Sequence, residues 1–368
     1  MTIRRVVRLA CLAGLAAGIV LVAVECKKKN GRDSEPASVS TIENLKVTAT
    51  GDDPCRIVLK HAVFTDTVTW DKKNVVATLL SDGSGNTVLG DIKRLLGRDT
   101  DVMVPDNYLL SADQHYLIYD AGIFQNTRIC HNLYFYDLKT GEKDSLFTDA
   151  LKYDNGYGLY IYGFSCNPGG TMLAVSVNDL IRCRDLVTNR TFDIPCKVPF
   201  EQVWINSGEL LCNKRHNGKK QCIRVDASSR KTAVVASDDT LPLKSASATE
   251  NGNRILTYTS AEDTSGGVGD SLYFRDNRFN VVSAAFITHE QRVVYKIGLQ
   301  GKWLYYTDDR ALRRVRIEMV ENKNVSLDQI NETAQVICPF PIRVEEGEIR
   351  DVGYGSLQQL LPIENGKK

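Results

Sequence analysis

The sequence predicts an all-β fold, a single β-propeller of four-stranded blades that follows an N-terminal hydrophobic helix. Two repeating patterns predict it: strand-like runs that end in aspartate, and polar turns followed by an apolar strand. Helical periodicity is almost absent, and β-branched and aromatic residues dominate the apolar runs. The recurring aspartates are Asp91, Asp137, Asp185, Asp226 and Asp276. Their steps of 46, 48, 41 and 50 residues lie in or near the period of propeller blades.

Each repeat indicates one blade with strands A to D. Strand A leads through a tight turn into strand B, a variable loop follows, and strand C ends near the aspartate before a turn into strand D. The aspartates are interpreted as turn-forming residues after strand C. Tandem sheets arranged around an axis bury their faces against each other and limit exposed edges.

The number of blades follows from the mean repeat of about 46 residues. Residues 42–363 accommodate seven such repeats, so seven blades are favoured, with six or eight as alternatives. The closing blade is expected to combine the segment 349–362 with N-terminal strands around 45–50 and 56–60.

The N-terminus has the pattern of a targeting segment. Three arginines precede the apolar run 9–24, and Glu25, Cys26 and three lysines end it. Residues 1–26 are predicted to be a signal-anchor or a lipoprotein-type signal with lipidation at Cys26; a cleaved secretory signal is the third alternative. The run is short for a span, and Glu25 is larger than the residue expected before a lipidated cysteine.

The predicted domain order is therefore a signal at 1–26, a polar tether at 27–41 and the propeller at 42–368. We expect attachment to a membrane of the cell envelope, with the propeller on the exported, periplasmic or extracellular side. The net charge of +1, with both signs mixed along the chain, does not favour nucleic acid as a partner.

Two blades resemble a known repeat. The run 108–119, followed by 133–142, looks like the TolB-type and dipeptidyl-peptidase-type (WD-repeat-like) propeller repeat, and 164–174 is similar to the turn of the same repeat. The resemblance implies a propeller and, for that family, a periplasmic or extracellular scaffold that binds partners. It implies no catalytic residues, because the motif carries none.

Motifs for known chemistries are missing from the sequence. It contains no nucleophile elbow, no phosphate-binding loop, no dinucleotide fingerprint and no H-E-x-x-H zinc motif. The five histidines are scattered and are interpreted as surface or turn residues. We therefore predict no cofactor and no metal, while a small-molecule ligand stays unspecified.

Cysteines suggest disulfide bonds in an exported domain. If Asn189 and Arg190 centre a hairpin, Cys183 and Cys196 face each other. Cys212 and Cys222 are nearly opposite around the next hairpin, and their pairing needs a bulge. The alternative for each cysteine is a small buried hydrophobic residue.

Binding residues are expected in the loops between strands B and C, because loops on a rigid scaffold are the usual place for recognition. The candidates are Asp82, Asn86, Arg128, Lys214, Arg215, Lys219, Lys220, Glu262, Asp263, Asp270, Asp308 and Arg310. The group around Lys214 is cationic, and that around Glu262 is acidic. Solvated hairpin tips are the alternative interpretation of the same residues.

The leading functional hypothesis is a non-enzymatic binding or scaffold module for a protein partner or an extracellular ligand. The alternative is a propeller-type hydrolase or lyase that acts on an envelope glycan or peptide, with Asp82, Glu262, Asp263 and Asp308 as its carboxylates. Such an enzyme places two carboxylates within about 5 to 10 Å of each other in a concave pocket, and a binding module needs no such pair.

Overall fold

A computed structural model describes the chain over residues 55–363, except for 65–71, 82–84, 86, 92–101, 104–106, 112, 126–127, 147–160, 198, 238–243, 250–253, 263–267, 289–296, 309, 341, 346–347 and 353–354. The predicted signal with Cys26, the polar tether and the strand expected around 45–50 lie outside these residues. No helix within the described part is both long and apolar enough to cross a membrane.

The described residues form six blades of antiparallel strands, which we number in chain order. Blade 1 contains β1 (Cys55–Phe64), β2 (Lys72–Leu80), β3 (Thr87–Asp91) and β28 (Gly355–Pro362); blade 2 contains β4 (Val102–Met103), β5 (Tyr108–Leu110), β6 (Tyr116–Gln125), β7 (Arg128–Asp137) and β8 (Lys143–Ser145). Blade 3 contains β9 (Ile161–Cys166), β10 (Met172–Val177), β11 (Leu180–Asp185) and β12 (Thr191–Pro195); blade 4 contains β13 (Pro199–Trp204), β14 (Glu209–His216), β15 (Lys219–Asp226) and β16 (Lys231–Ser237).

The last two blades carry additional elements. Blade 5 contains β17 (Lys244–Ala248), β18 (Ile255–Glu262), β19 (Val268–Arg275), β20 (Val281–Thr288) and, parallel to β20, β24 (Asn324–Ser326). Blade 6 contains β21 (Ile297–Gln300), β22 (Trp303–Thr307), β23 (Ala311–Arg316) and β25 (Gln335–Pro339). A 3-10 turn (Ile317–Met319) and helix α1 (Leu327–Thr333) precede β25, and a separate hairpin of β26 (Ile342–Glu345) and β27 (Glu348–Val352) follows it.

Six hydrophobic clusters hold the ring together, one in each interface between neighbouring blades. On β1, Val58 enters the cluster shared with blade 2, whereas Ile57 and Leu59 enter the cluster shared with blade 6. Successive side chains of a strand point to opposite faces, and here both faces are buried. The central strands therefore have nearly continuous apolar runs.

The ring closes through the end of the predicted segment and the strand around 56–60, whereas residues 349–352 of that segment belong to β27 of the separate hairpin. Strand β28 pairs with β1 in antiparallel register, so Leu357 lies opposite Leu59 and Leu361 lies opposite Arg56. Six blades form, one of the two alternatives, and the favoured number of seven is wrong. The residue count is too high because the hairpin β26–β27 and the segment of β24 and α1 lengthen the chain without adding a blade.

Blade 1 differs from the predicted strand assignment. Asp91 was expected at the end of strand C, but it ends β3, the outermost strand D, where it lies 3.8 Å from the Lys73 ammonium. The segment 81–86, expected to be a B–C loop, connects β2 and β3 and is therefore the C–D connection. The reason is that β28 supplies strand A of this blade, which shifts each N-terminal strand outward by one place.

The other four aspartates form turns, as predicted. Asp137, Asp185 and Asp226 end their third strands and Asp276 follows β19. In Asp137 and Asp185, Oδ1 accepts the backbone N–H groups two and three residues later at 2.7–3.0 Å. The N–H three residues later lowers the pKa of both carboxyl groups because it stabilises the ionised form. These carboxylates shape the turns between strands C and D.

Candidate binding site

The inner strands of all six blades surround a central channel with a cavity of about 350 Å³. Apolar lining residues include Leu109, Phe164 and Leu299, and the polar ones are uncharged, with Tyr162 and Gln300 among them. No aspartate, glutamate, histidine, lysine or arginine lines this cavity among the described residues. The described part of the channel wall thus offers shape, amide groups and apolar surface for contact, and it contains no acid–base pair.

Side-chain amides of the channel hold neighbouring inner strands together. The inner strands of neighbouring blades do not pair with each other. The backbone N–H groups on their unpaired edges therefore need other hydrogen-bond acceptors. Gln358 and Gln359 of β28 accept the N–H groups of Tyr108 and Leu110 of β5 at 2.9 and 2.7 Å. Gln202 of the inner strand β13 accepts a hydrogen bond from the Ser176 hydroxyl of β10, the second strand of blade 3, at 3.0 Å. None of these glutamines was among the predicted residues. In the sequence, Gln358 and Gln359 are recognisable only as two adjacent amides within the otherwise apolar end of β28.

The nucleophilic side chains of the channel wall are not activated. Burial raises the pKa of Cys166 to about 12, so its thiol stays protonated at neutral pH. Ser165 Oγ is buried and has no hydrogen-bond partner, and its backbone carbonyl accepts the Trp204 indole N–H at 3.0 Å. Nucleophilic catalysis needs an adjacent base, and the described lining supplies none.

The face that carries the B–C loops, here called the loop face, presents a cationic hairpin. Strands β14 and β15 meet at Asn217 and Gly218, which both have positive φ, as a type I′ turn requires. Directly behind the turn lie the four residues of the basic tip, Lys214, Arg215, Lys219 and Lys220. Arg215 is opposite Lys220 in the ladder, an arrangement of like charges that costs stability.

Of the predicted acidic group on the same face, the structure describes only the Asp270 side chain. Asp270 lies on β19 and is only 4% exposed, so its carboxylate is not part of an open acidic surface. Glu262 ends β18, but its side chain and the whole of Asp263 lie outside the described residues, as do Asp82 and Asn86. Arg128 is the first residue of β7, at the B–C end of blade 2.

Asp308 has a structural role in the B–C loop of blade 6. It is 1% exposed, and its Oδ1 accepts the N–H groups of Arg310 and Ala311 at 2.8 and 2.7 Å. Its Oδ2 accepts the Arg313 Nε–H at 2.7 Å. Both oxygens are occupied, while the Arg310 side chain is exposed. The enzyme alternative therefore depends on carboxylates outside the described side chains.

The predicted disulfides are not formed. Cys183 lies opposite Phe192 rather than Cys196, because the hairpin turns closer to Asp185 than expected. Cys212 lies opposite Ile223 and Cys222 opposite Asn213, so the two thiols enter different blade interfaces. These four cysteines are free, buried thiols.

One buried histidine was missed by the sequence interpretation, which placed all histidines at the surface or in turns. His61 lies on β1 between Val75 of β2 and Gly355 of β28, and is 4% exposed. Burial lowers its pKa from 6.5 to about 4, against a smaller opposing effect of the backbone hydrogen bond with Ala62. Its Nδ1 has no hydrogen-bond partner. The ring is therefore neutral in the folded protein at neutral pH.

This histidine is expected to make stability depend on pH. The unfolded chain binds the proton more readily, so roughly 3 kcal/mol of native stability, present above pH 6.5, should be lost as the pH falls to 4. Urea unfolding of His61→Leu should show a much flatter profile between these pH values. His216→Gln, at the exposed hairpin tip, is the control and should keep the wild-type profile. Identical profiles for wild type and His61→Leu would contradict the assignment.

Comparisons with known proteins find similarity of fold. No family model and no curated protein matches the chain. A crystal structure of TolB from Acinetobacter baumannii matches with 12% identity and a TM-score of 0.44, over 82% of this chain and 66% of that one. The structure of a nidogen/laminin complex matches with 11% identity and a TM-score of 0.45, over 72% and 90%.

A third solved structure, dipeptidyl peptidase 4 from Porphyromonas gingivalis, matches with 10% identity and a TM-score of 0.36, over 67% of this chain and 43% of that one. The chain thus spans slightly less than two thirds of the TolB chain and under half of the peptidase. The likeness is one of fold. The β-propeller that the repeat resemblance implies is confirmed by the six blades themselves.

Proposed function

We propose that this chain is a membrane-attached, exported scaffold whose loop face binds an acidic segment of a protein partner. The observation that carries the proposal is the basic tip of blade 4. Arg215 and Lys219 are exposed, Lys214 and Lys220 are half-buried, and Arg215 lies directly opposite Lys220. An acidic ligand between these cations relieves their mutual repulsion. Part of the binding free energy then comes from removing a repulsion that is present in the free protein.

The described channel lining is uncharged and supports a binding function. Tyr162 lies at the beginning of β9 and is 37% exposed. The start of strand A and the B–C turn lie at the same edge of a blade, because neighbouring strands run in opposite directions. Tyr162 and the basic tip therefore belong to one face. Aromatic and arginine side chains on one face are a common composition of protein-binding surfaces.

Membrane attachment and export rest on the N-terminal pattern of arginines, apolar run and Cys26. The polar tether that follows this pattern supports the proposal, because it gives an attached propeller the reach to contact a partner in the envelope. In a fractionation, a variant lacking residues 1–26 should leave the membrane fraction while its isolated propeller stays folded. A folded variant that stays in the membrane fraction would contradict attachment by this segment.

The partner is tested by photocrosslinking in native membranes, with a photoreactive residue at His216 between the two cationic pairs. We expect a discrete adduct that is lost in Arg215→Glu/Lys220→Glu and weakened by added salt. The matched control is Lys139→Glu/Lys231→Glu, which makes the same charge change at exposed positions near C–D turns on the opposite face. An adduct unaffected by the first double variant, or lost equally in both, would overturn the proposal.

A further inference from the structure

Two thiols that the sequence did not pair lie together between blades 3 and 4. Cys196 follows β12, and its N–H donates to the Asp179 carbonyl at 3.0 Å. Cys212 lies on β14 of the next blade. Both side chains belong to the hydrophobic cluster of this interface, and they interact with each other. Cys196 and Cys212 thus form a contact between two blades, whereas each predicted pair lies within a single hairpin.

The surroundings make the two thiols unequal. The Cys212 thiol and the Lys214 ammonium lower the pKa of Cys196, while burial raises that of Cys212. Cys196 is 6% exposed and Cys212 1%, and Cys212 Sγ lies 3.3 Å from the Asn213 carbonyl. A slightly exposed thiol of lowered pKa beside a more deeply buried one is the arrangement of an attacking and a resolving cysteine.

We propose that Cys196 and Cys212 form a reversible disulfide that links blade 3 to blade 4 when the protein meets a disulfide oxidant. The Cys196 thiolate attacks one sulfur of a small disulfide such as oxidised glutathione, which breaks the S–S bond and releases one thiolate. Cys212 then loses its proton and attacks Cys196 Sγ, which expels the second thiolate. The released groups take up the two protons, so two protein thiols are oxidised and one disulfide is reduced to two thiols.

The bond would fix a segment that connects neighbouring blades. Cys196 precedes β13, the inner strand of blade 4, and Gln202 of β13 pairs with Cys212 in the ladder. The disulfide thus closes a short loop around the entry of the chain into blade 4. Closing a loop restricts the unfolded chain and stabilises the folded state. This inference is independent of the proposed partner.

The test is disulfide mapping of the folded, full chain after incubation with oxidised glutathione, without reduction before proteolysis. We expect one linked peptide pair containing Cys196 and Cys212, and a Tm roughly 5 °C above that of the reduced protein. Cys212→Ser should hold glutathione on Cys196, whereas Cys196→Ser should leave Cys212 unmodified. Cys183→Ser and Cys222→Ser are matched controls, since both are buried free thiols, one in this interface and one in the next, and should keep the link.

Other results would overturn the inference. Free thiols at Cys196 and Cys212 after an incubation that oxidises the urea-unfolded chain would contradict it, as would a link between any other cysteines. Mapping of the wild-type protein alone decides the pairing, so a variant that fails to fold does not affect the outcome. The two single variants test only the order of attack.

Discussion

A chain that ends at residue 354 is expected to lose the folded propeller, whereas a chain that ends at Ile363 should keep it. The first truncation removes β28, the inner strand of blade 1. Leu357 and Leu361 are buried in the interfaces with blades 6 and 2, and each contributes about 1.5–3 kcal/mol through burial. The same strand supplies Gln358 and Gln359, which accept two N–H groups of β5.

Together these losses come to roughly 5–8 kcal/mol, which is comparable with the whole stability of a typical domain. Circular dichroism and urea unfolding of both truncated chains check the expectation. The shorter chain should show no cooperative transition, and the longer one should unfold like the wild type. A cooperative transition in the chain that ends at residue 354 would mean that the ring does not depend on this strand.

The sequence repeats predict the blades because the same local chemistry recurs in each. Asp137, Asp185 and Asp226 end strands because a carboxylate can accept the N–H groups of the following turn, and this is a local effect. In blade 1 the periodicity misleads, since Asp91 recurs at the correct spacing but ends strand D. The pairing of β28 with β1 is a long-range contact that local spacing does not record.

The candidate site was predictable only in part, for a similar reason. The basic tip follows from Asn217 and Gly218, whose turn brings neighbouring cations together. The burial of Asp270 and of His61 depends on packing between strands and blades, which residue spacing along the sequence does not record. The cysteine pairing failed because a hairpin displaced by two residues changes every partner along the ladder.

Replacement of Trp204 by alanine is expected to cost about 3–5 kcal/mol, because a large buried ring would leave a cavity in the interface between blades 3 and 4. Trp204 is 3% exposed and lies at the end of β13, beside Leu210 and Ala174. Its indole N–H donates to the Ser165 carbonyl of β9 at 3.0 Å and so connects two inner strands. The side chain therefore contributes both packing and a polar contact between blades.

Trp204→Phe separates the two contributions, since it keeps most of the ring but removes the donor. We expect a loss of about 1 kcal/mol, because the Ser165 carbonyl lies at the channel wall where water can replace the indole. Urea unfolding followed by circular dichroism measures both variants, with the highly exposed Val187→Ala as a control that should change little. Equal losses for the two variants would indicate that the hydrogen bond, and not the volume of the ring, dominates this interface.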